Sequence, residues 1–386
     1  MHKDQIIERA LAASGLDSPR DATFLPGLEI AVRDCNRSDM SPAAREATQK
    51  NYLMFLTNRF KADRYVEDHP DVLAAPVKRP VVIVGLPRTG STLTCNLLAA
   101  DQRRRSLLSW EGLNGLPPAT RETLRTDPRC LALKARDEVG LTPPTSAEMR
   151  GKLRAMHHDD ADGPSECNML LAYDFWSTAI EAQYPLPEYR EWLLSHPGDA
   201  AYAVHKRMLQ ILQSKAPGTW NLKTPGHSLG VEALLNTYPD ARIIWTHRDP
   251  FEVVGSHCSL IRAVHVSFGA HDTRAEIAGY YPRQLALHVE RLMAAEDSRR
   301  LHEGNCFHLS YREMMRDPVE QFRRLYRWLG DDFDSDVEGG VVRWLEERPK
   351  HAFGKHDYSL AEFDLSREKL APLFEAYVAR HQASLI

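Results

Sequence analysis

The chain has 386 residues, 43% of them hydrophobic and 26% charged, and its formal net charge is −4. These values are ordinary for a soluble globular protein, and the weak negative charge excludes the basic footprint that a nucleic acid partner requires. The six cysteines are scattered without a Cys-x-x-Cys pair. Their pattern indicates neither a zinc site nor a disulfide framework, and it fits a reducing cytoplasm.

Residues 1–79 are predicted to form a helical segment ahead of the first strand. Apolar residues recur there at helical spacing, namely at Ile6, Ile7, Leu11, Tyr52, Leu53, Phe55, Leu56 and Phe60. The opening residues, MHKDQIIERALAASGL, place charges inside an amphipathic pattern, so we expect neither a signal peptide nor a membrane anchor. We therefore expect a cytoplasmic protein without a transmembrane segment.

Residues 81–94, VVIVGLPRTGSTLT, are predicted to be a phosphate-binding loop between a strand and a helix. The apolar run over 81–84 indicates a buried strand, and the pattern over 93–100 indicates a helix. Backbone N–H groups at the start of such a helix favour an anion, and the glycine and hydroxyl spacing is that of a P-loop. An ordinary strand-to-helix turn is the structural alternative. The residues expected to hold the anion are Pro87, Arg88, Thr89, Gly90, Ser91 and Thr92.

One position distinguishes this loop from that of ATP- and GTP-splitting enzymes. A Walker A loop has lysine directly after its second glycine, where it reaches the outer phosphates. Here Ser91 occupies that position, and the loop carries its cation at Arg88, three residues after Gly85. The loop therefore favours an anionic group other than the phosphate chain of a Walker-type nucleotide.

Residues 113–217 are predicted to be a helical insert that lies over the active site. No convincing strand occurs in this range, and proline pairs such as Pro117-Pro118 interrupt its helical stretches. Most of its aromatic side chains are expected in the core, but some must wall an acceptor pocket if the reaction excludes water. The part of the insert that is rich in aromatic residues, Met and Leu comprises Met169 to Trp176, Tyr184, Tyr189 and Trp192. The run His157, His158, Asp159 and Asp160 is interpreted as a polar turn or a rim of the acceptor pocket.

Three further strands are predicted, over 219–223, 242–246 and 305–310, each followed by a helical pattern. This alternation implies right-handed crossovers and a parallel sheet whose carboxyl edge carries the phosphate sites. We therefore expect an α/β fold of the P-loop type, with three layers and helices on both faces of a central parallel sheet. The predicted catalytic domain spans 80–386, with a C-terminal segment over about 345–386 that closes on the bound nucleotide.

Residues 242–256, RIIWTHRDPFEVVGS, contain a second candidate phosphate site. Arg248 follows the strand, Asp249-Pro250 forms the predicted cap and first turn of a helix, and Ser256 lies two turns into that helix. Taken alone, an Arg-Asp-Pro sequence after a strand is also consistent with a structural ion pair. Tyr311 follows the last strand, and the next helix is expected to open at Asp317-Pro318.

These motifs together resemble those of the sulfotransferases that use 3′-phosphoadenosine 5′-phosphosulfate (PAPS), in their bacterial branch. The resemblance implies that the loop Gly-x-x-Arg-x-Gly-Ser-Thr holds the 5′-phosphosulfate and that Arg248 and Ser256 hold the 3′-phosphate. It also implies a position near the adenine for Tyr311, and no metal requirement. The segment HAFGKHDYSLAEFDL resembles the His-x-Tyr-Ser-Leu segment of that branch, so Gly354, Lys355 and His356 are expected to close over the 3′-phosphate.

The resemblance also implies catalytic roles. Arg88 and Lys223, which ends the second predicted strand, are expected to stabilise the transferring group in an in-line displacement. The base that deprotonates the acceptor is expected to be Glu111, in Ser109-Trp110-Glu111, with His227 as the alternative.

The predicted function is therefore transfer of a sulfuryl group from PAPS to a hydroxyl or amine of a small acceptor. The aromatic insert favours an apolar acceptor, but its composition does not identify the molecule. A P-loop kinase or NTPase and a catalytically inactive nucleotide-binding protein are the alternatives. The oligomeric state is left open, with a homo-oligomer among the alternatives.

Overall fold

A computed structural model describes residues 1–136, 149, 151, 153, 160–348 and 358–385 of the chain, which divides into two compact units. The helical unit comprises Met1–Val77, Leu107–Gly218 and Ala263–Thr273. The sheet unit comprises Lys78–Ser106, Thr219–Arg262 and Arg274–Ile386. The predicted domain boundary between residues 79 and 80 stays a prediction.

The sheet unit is built on a five-stranded parallel sheet with the strand order β2-β3-β1-β4-β5. The strands are β1 (Val81–Gly85), β2 (Arg104–Ser106), β3 (Thr219–Lys223), β4 (Arg242–His247) and β5 (Cys306–Ser310). All of β1 is buried, as its unbroken apolar run requires of a central strand that is covered on both faces. Four of the five strands match the predicted ones to within a residue or two, and β2 was not predicted.

Helices cover both faces of this sheet. On one face, Ile83 and Ile244 pack against the helices Ser91–Ala99, Pro318–Leu329 and Ser335–Glu347. On the other face, the helix Arg367–Leu385 packs against β4 and β5. The remaining helices that begin in this unit are Gly226–Leu229, Val231–Thr237, Pro250–Ser267, Arg274–Asp297 and Tyr311–Arg316. The predicted α/β fold with a central parallel sheet between helical layers is confirmed.

The strand order places a topological switch point beside β1. The chain runs from β1 to β2 and β3 on one side of β1, and it later enters β4 and β5 on the other side. In an open parallel sheet, the loops at the carboxyl ends of the two strands that flank such a point diverge and leave a crevice for a ligand. The loops after β1 and β4 contain Arg88 and Arg248, so the topology itself brings the two predicted phosphate motifs together.

The helical unit contains no strand among its described residues, apart from an isolated bridge between Leu108 and Pro164. Its α-helices within the described residues are Lys3–Ser14, Leu25–Arg37, Pro42–Asp68, Ser109–Asn114, Pro128–Ala135, Asn168–Leu171, Thr178–Glu181, Pro187–Ser195 and Asp199–Gln213. Its core includes an ion pair between the fully buried Arg59 and Asp174, 2.6 Å apart. None of the helices in the described part of the chain is long and apolar enough to span a lipid bilayer.

The aromatic residues predicted for the insert contribute largely to this core. Tyr173, Trp176 and Tyr189 are buried, and the Tyr189 hydroxyl donates to the Phe175 carbonyl at 2.9 Å. Buried tyrosine needs such a partner for its hydroxyl, so these contacts account for the polar atoms as well as the rings. The wall of the acceptor pocket stays a prediction.

Candidate active site at the carboxyl edge of the sheet

The loop after β1 has a backbone shape that only certain residues permit. Gly85 has φ 121°, and a Cβ atom there would lie 2.6 Å from the Thr246 carbonyl oxygen, so a side chain does not fit. Gly90 has φ 83° and immediately precedes the helix Ser91–Ala99. No side chain among the described residues caps this helix, which leaves its first N–H groups to bind an anion.

Buried hydroxyl groups brace the loop from below. The Thr89 hydroxyl donates to the Leu86 carbonyl at 2.7 Å and lies 2.6 Å from the Thr246 hydroxyl. The Ser228 hydroxyl accepts from the Gly85 N–H at 2.9 Å. Thr89 therefore supports the loop through its side chain, and any contact that it makes with an anion would come from its backbone N–H.

The second predicted motif meets the first directly. Arg248 follows β4, and Asp249 caps the helix Pro250–Ser267 by accepting from the Phe251 N–H at 2.8 Å. One guanidinium nitrogen of Arg248 donates to the Arg88 carbonyl at 2.9 Å. The Arg88 Nε atom donates to the Ser256 hydroxyl at 3.2 Å. The loop cation, Arg248 and Ser256 thus form one connected group.

Arg248 also contacts two groups that were not predicted as site residues. Its guanidinium donates to the Glu252 carboxylate at 2.9 Å and to the Tyr358 hydroxyl at 3.0 Å. Tyr358 belongs to the Tyr-Ser-Leu part of the C-terminal motif, which was the available sequence signal. Glu252 is four residues from Arg248 on the following helix, a spacing that favours an ion pair.

Tyr311 lies between the two motifs. The Arg248 guanidinium lies 4.6 Å from the centre of its ring, and a Cβ atom at Gly90 would be 3.0 Å from the ring's Cδ2 atom. The ring therefore leaves little room for a side chain at position 90, where the positive φ already favours glycine, and it supports Arg248 through a cation–π contact. Its predicted position near an adenine ring stays a prediction.

Lys223 is a third cation near the loop, in addition to Arg88 and Arg248. It ends β3, it is 1% exposed, and its ammonium group donates to the Thr92 hydroxyl at 3.3 Å. Because Thr92 lies in the first turn of the helix after the loop, Lys223 reaches the same helix start as the bound anion would. His227, the alternative base, is fully buried in the short helix Gly226–Leu229.

A neutral histidine lies behind the loop cation. Burial, together with the positive charge of Arg88, lowers the pKa of His257 to about 3. The rings of His257 and Tyr281 meet edge to face, with their centres 5.3 Å apart. The sequence contained no signal for His257, because it lies one residue beyond Ser256 in an otherwise ordinary helix.

Glu111 lies in the helical unit, in the short helix Ser109–Asn114. Its carboxylate is 1% exposed, and one oxygen accepts from the Leu108 N–H at 3.1 Å. It therefore satisfies the backbone N–H of Leu108, the residue that precedes and caps its own helix. Gly354, Lys355 and His356, as well as His157, His158 and Asp159, lie outside the described residues.

A family model described as "Sulfotransferase family" matches residues 80–335. The chain is 27% identical over 308 residues to the Omega-hydroxy-beta-dihydromenaquinone-9 sulfotransferase Stf3 of Mycobacterium bovis and of Mycobacterium tuberculosis, covering 78% of this chain and 72% of each relative.

Two solved structures have the same fold. Sulfotransferase STF9 from Mycobacterium avium superposes with a TM-score of 0.86 and 37% identity, covering 98% of this chain and 96% of that one. Sulfotransferase STF1 from Mycobacterium tuberculosis superposes with a TM-score of 0.81 and 24% identity, covering 97% and 99%, which shows the fold alone.

The predicted enzyme class is confirmed by these matches, which are to bacterial proteins as the motifs indicated. The family match includes the loop after β1, β3 with Lys223, and the segment from Arg248 to Ser256. The chain belongs to the sulfotransferase family.

Proposed function

We propose that the sheet unit binds PAPS, the donor that the family generally uses, at the carboxyl ends of β1 and β4. The start of the helix Ser91–Ala99, Arg88 and Lys223 would hold the 5′-phosphosulfate. Arg248 and Ser256 would hold the 3′-phosphate, and Gly354, Lys355 and His356 would close over it. The contact between Arg248 and Tyr358, which follows these three residues in the chain, supports that last assignment.

The single observation that carries this proposal is the connection between Arg88, Ser256 and Arg248. Arg88 donates to the Ser256 hydroxyl at 3.2 Å and accepts from Arg248 at 2.9 Å through its carbonyl. These two hydrogen bonds connect the loop after β1, which suits one anion, to the pair Arg248 and Ser256, which suits a second anion. An arginine fork and a hydroxyl suit a phosphate dianion, and an uncapped helix start suits a second anionic group. A donor with two separated anionic groups matches this arrangement better than a linear triphosphate does.

The proposed chemistry assigns a role to each of three residues. PAPS supplies the sulfuryl group; the bond from sulfur to the 5′-phosphate oxygen breaks as a bond from sulfur to the acceptor oxygen forms. Lys223 and Arg88 stabilise the negative charge that develops on the oxygen that leaves. Glu111 takes the proton of the acceptor hydroxyl, so the products are the sulfate ester and adenosine 3′,5′-bisphosphate (PAP).

For the acceptor we propose a hydroxyl group on an apolar, isoprenoid-like small molecule. The curated relatives are named for a hydroxylated dihydromenaquinone, and the aromatic composition of residues 169–192 is compatible with an apolar partner. The sequence identity of 27% supports this class of acceptor and not the particular molecule.

Thermal unfolding with added nucleotides tests the donor site. PAP should raise the melting temperature without Mg²⁺, whereas ATP at the same concentration should have little effect. Transfer of labelled sulfate from PAPS to a panel of isoprenoid, phenolic and sterol-like alcohols then tests the reaction. Stabilisation by Mg²⁺ and ATP, with ATP hydrolysis, would instead indicate an NTPase. Binding of PAP without transfer to any acceptor would indicate an inactive nucleotide-binding protein.

A further inference from the structure

A cluster of three histidines lies on the sheet face opposite the helix Ser91–Ala99. His247 ends β4, His308 lies on β5, and His381 lies on the helix Arg367–Leu385. One ligand nitrogen from each ring lies within 4.8 Å of the other two. The cluster belongs entirely to the sheet unit, and none of its members was predicted as a site residue.

Strand pairing explains why the rings converge. His308 is the direct neighbour of Trp245 across β4 and β5, and His247 is two residues beyond Trp245 on the same face. The Trp245 ring contacts all three histidine rings, and its centre lies 4.6 Å from that of His381. The helix backbone departs from helical geometry at His381, at φ −109° and ψ 20°, where that side chain meets the strands.

Two of the rings have one nitrogen facing the cluster and the other held by an outer group. The Nε2 atom of His247 lies 2.8 Å from the Nδ1 atom of His308. The outer nitrogen of His247 lies 2.9 Å from the Tyr377 hydroxyl, and that of His308 lies 3.4 Å from the Glu296 carboxylate. Metal-bound histidines are held in this way, with the second ring nitrogen bonded to a carboxylate or another polar group.

The third ring completes the set. His381 is 8% exposed, and its Nε2 atom has no hydrogen-bond partner among the described residues, although Glu296 lies 3.4 Å away. Glu296 is also paired with Arg380 at 3.6 Å. His308 has a side chain that is 35% exposed and thus provides a route from solvent to the cluster.

We propose that His247, His308 and His381 bind a Zn²⁺ ion that links the C-terminal helix to the sheet. Three neutral imidazoles suit zinc and the neighbouring late transition metals, whereas Mg²⁺ and Ca²⁺ prefer oxygen ligands. A water molecule would complete a tetrahedral shell, with Glu296 outside it beside the outer nitrogen of His308. Zinc–nitrogen bonds of about 2.0–2.1 Å require the inner nitrogens to lie about 3.4 Å apart, so His247 and His308 need to separate only slightly.

The test uses full-length protein without an affinity tag, stripped with a chelator. Zn²⁺ titrated against a competing chromophoric chelator should bind at one equivalent, with micromolar affinity or tighter. It should raise the melting temperature by several degrees, and the chelator should reverse that rise. Co²⁺ at the same site should give the visible absorption bands of tetrahedral cobalt.

Variants separate this site from other histidines. His308→Ala, at the exposed edge, should weaken Zn²⁺ binding by about 100-fold or more, while Tyr377→Phe should weaken it by about 10- to 100-fold as an outer group. The exposed His302→Ala is the matched control and should bind as the wild type does. Binding weaker than about 0.1 mM in the wild type, or equal binding by His308→Ala and the wild type, would overturn the proposal. The donor site would be unaffected by that result.

Discussion

The loop after β1 and the helix Ser109–Asn114 carry the two halves of the proposed chemistry, and they are built differently. In the loop, the proposed donor site rests on backbone conformation at Gly85 and Gly90 and on a connected set of side chains within one compact unit. In the helix, the assignment rests on one carboxylate, that of Glu111, which already accepts from the N–H of the N-cap residue Leu108. Donor binding can therefore be tested by affinity alone, whereas the base can be tested only through turnover.

The largest expected effect is at Glu111. Glutamine retains an oxygen for the Leu108 N–H, so Glu111→Gln should keep the fold and the affinity for PAPS while it lowers turnover by about 10²- to 10⁴-fold. A nitrophenol-like acceptor, already ionised near neutral pH, should be partly rescued, and an aliphatic alcohol should not. Steady-state kinetics with both acceptors measure this.

His227→Ala is the matched control for the base and should lower turnover much less. If the His227 variant is inactive and the Glu111 variant is mildly affected, the base is His227. If both variants are mildly affected, neither residue is the base, and His157, His158 and Asp159 become the next residues to change.

The next largest effect is expected at Arg248, in the proposed donor site. Arg248→Ala should weaken PAP binding about 100-fold, the worth of a charge-assisted contact of about 2–3 kcal/mol. Adenosine 5′-phosphosulfate lacks the 3′-phosphate, so its affinity should change little. Calorimetric titration of both ligands measures the difference, and equal losses would contradict the assignment of the 3′-phosphate to Arg248.

A smaller effect concerns the half-buried histidine next to Ser256, His257. His257 stays neutral in the folded chain because its pKa is lowered to about 3 from an ordinary 6.5, while the unfolded chain takes up a proton below 6.5. Its contribution to stability is therefore complete above pH 6.5 and declines as the pH falls toward 3, by about 1.4 kcal/mol per pH unit.

Urea unfolding at several pH values measures that decline. His257→Gln should make the free energy of unfolding less dependent on pH below pH 6.5. The slope should fall by the contribution of one titrating group, about 1.4 kcal/mol per pH unit. His302→Gln, which changes an exposed histidine of the same unit, is the matched control. An unchanged slope in the His257 variant would show that its ring is protonated in the folded protein.

The smallest effect is at Glu252. Its carboxylate pairs with Arg248 and would repel a 3′-phosphate, so Glu252→Gln should strengthen PAP binding by about two- to fivefold, within the range of exposed ion pairs. The gain should shrink at high ionic strength, because salt screens exposed charges. Glu320→Gln alters an ion pair elsewhere in the sheet unit and should leave the affinity unchanged. Weaker binding by Glu252→Gln would mean that Glu252 positions Arg248 for the ligand.

The sequence was informative wherever a short segment determines its own geometry. The apolar runs of β1 and β4 and the glycines of the loop predicted the fold and the donor motifs. Strand β2 was missed because it reads Arg-Arg-Ser, and its burial depends on distant partners. Arg104 stacks on Tyr326 and pairs with Asp331, and Arg105 lies over Trp220. No hydrophobic pattern could reveal such a strand.

Long-range contacts explain the other omissions. His247, His308 and His381 are far apart in the chain and follow no ligand spacing, and only the pairing of β4 with β5 and the packing of the last helix bring them together. The contact between Thr246 and Thr89 was missed for the same reason, because it joins β4 to the loop after β1. Such pairs depend on the register of the sheet, which a single sequence does not specify.

The position of β1 has a consequence for how a donor is captured. This strand is buried along its whole length and paired on both sides, so its amide hydrogens should exchange with solvent only when the sheet unit unfolds. The loop that follows it is held by the Thr89 hydroxyl, which bonds to the Leu86 carbonyl and to the Thr246 hydroxyl, so we expect this loop to lose little conformational entropy on binding. The rate of capture should then depend on diffusion and on attraction by Arg88, Lys223 and Arg248, and it should fall as ionic strength rises.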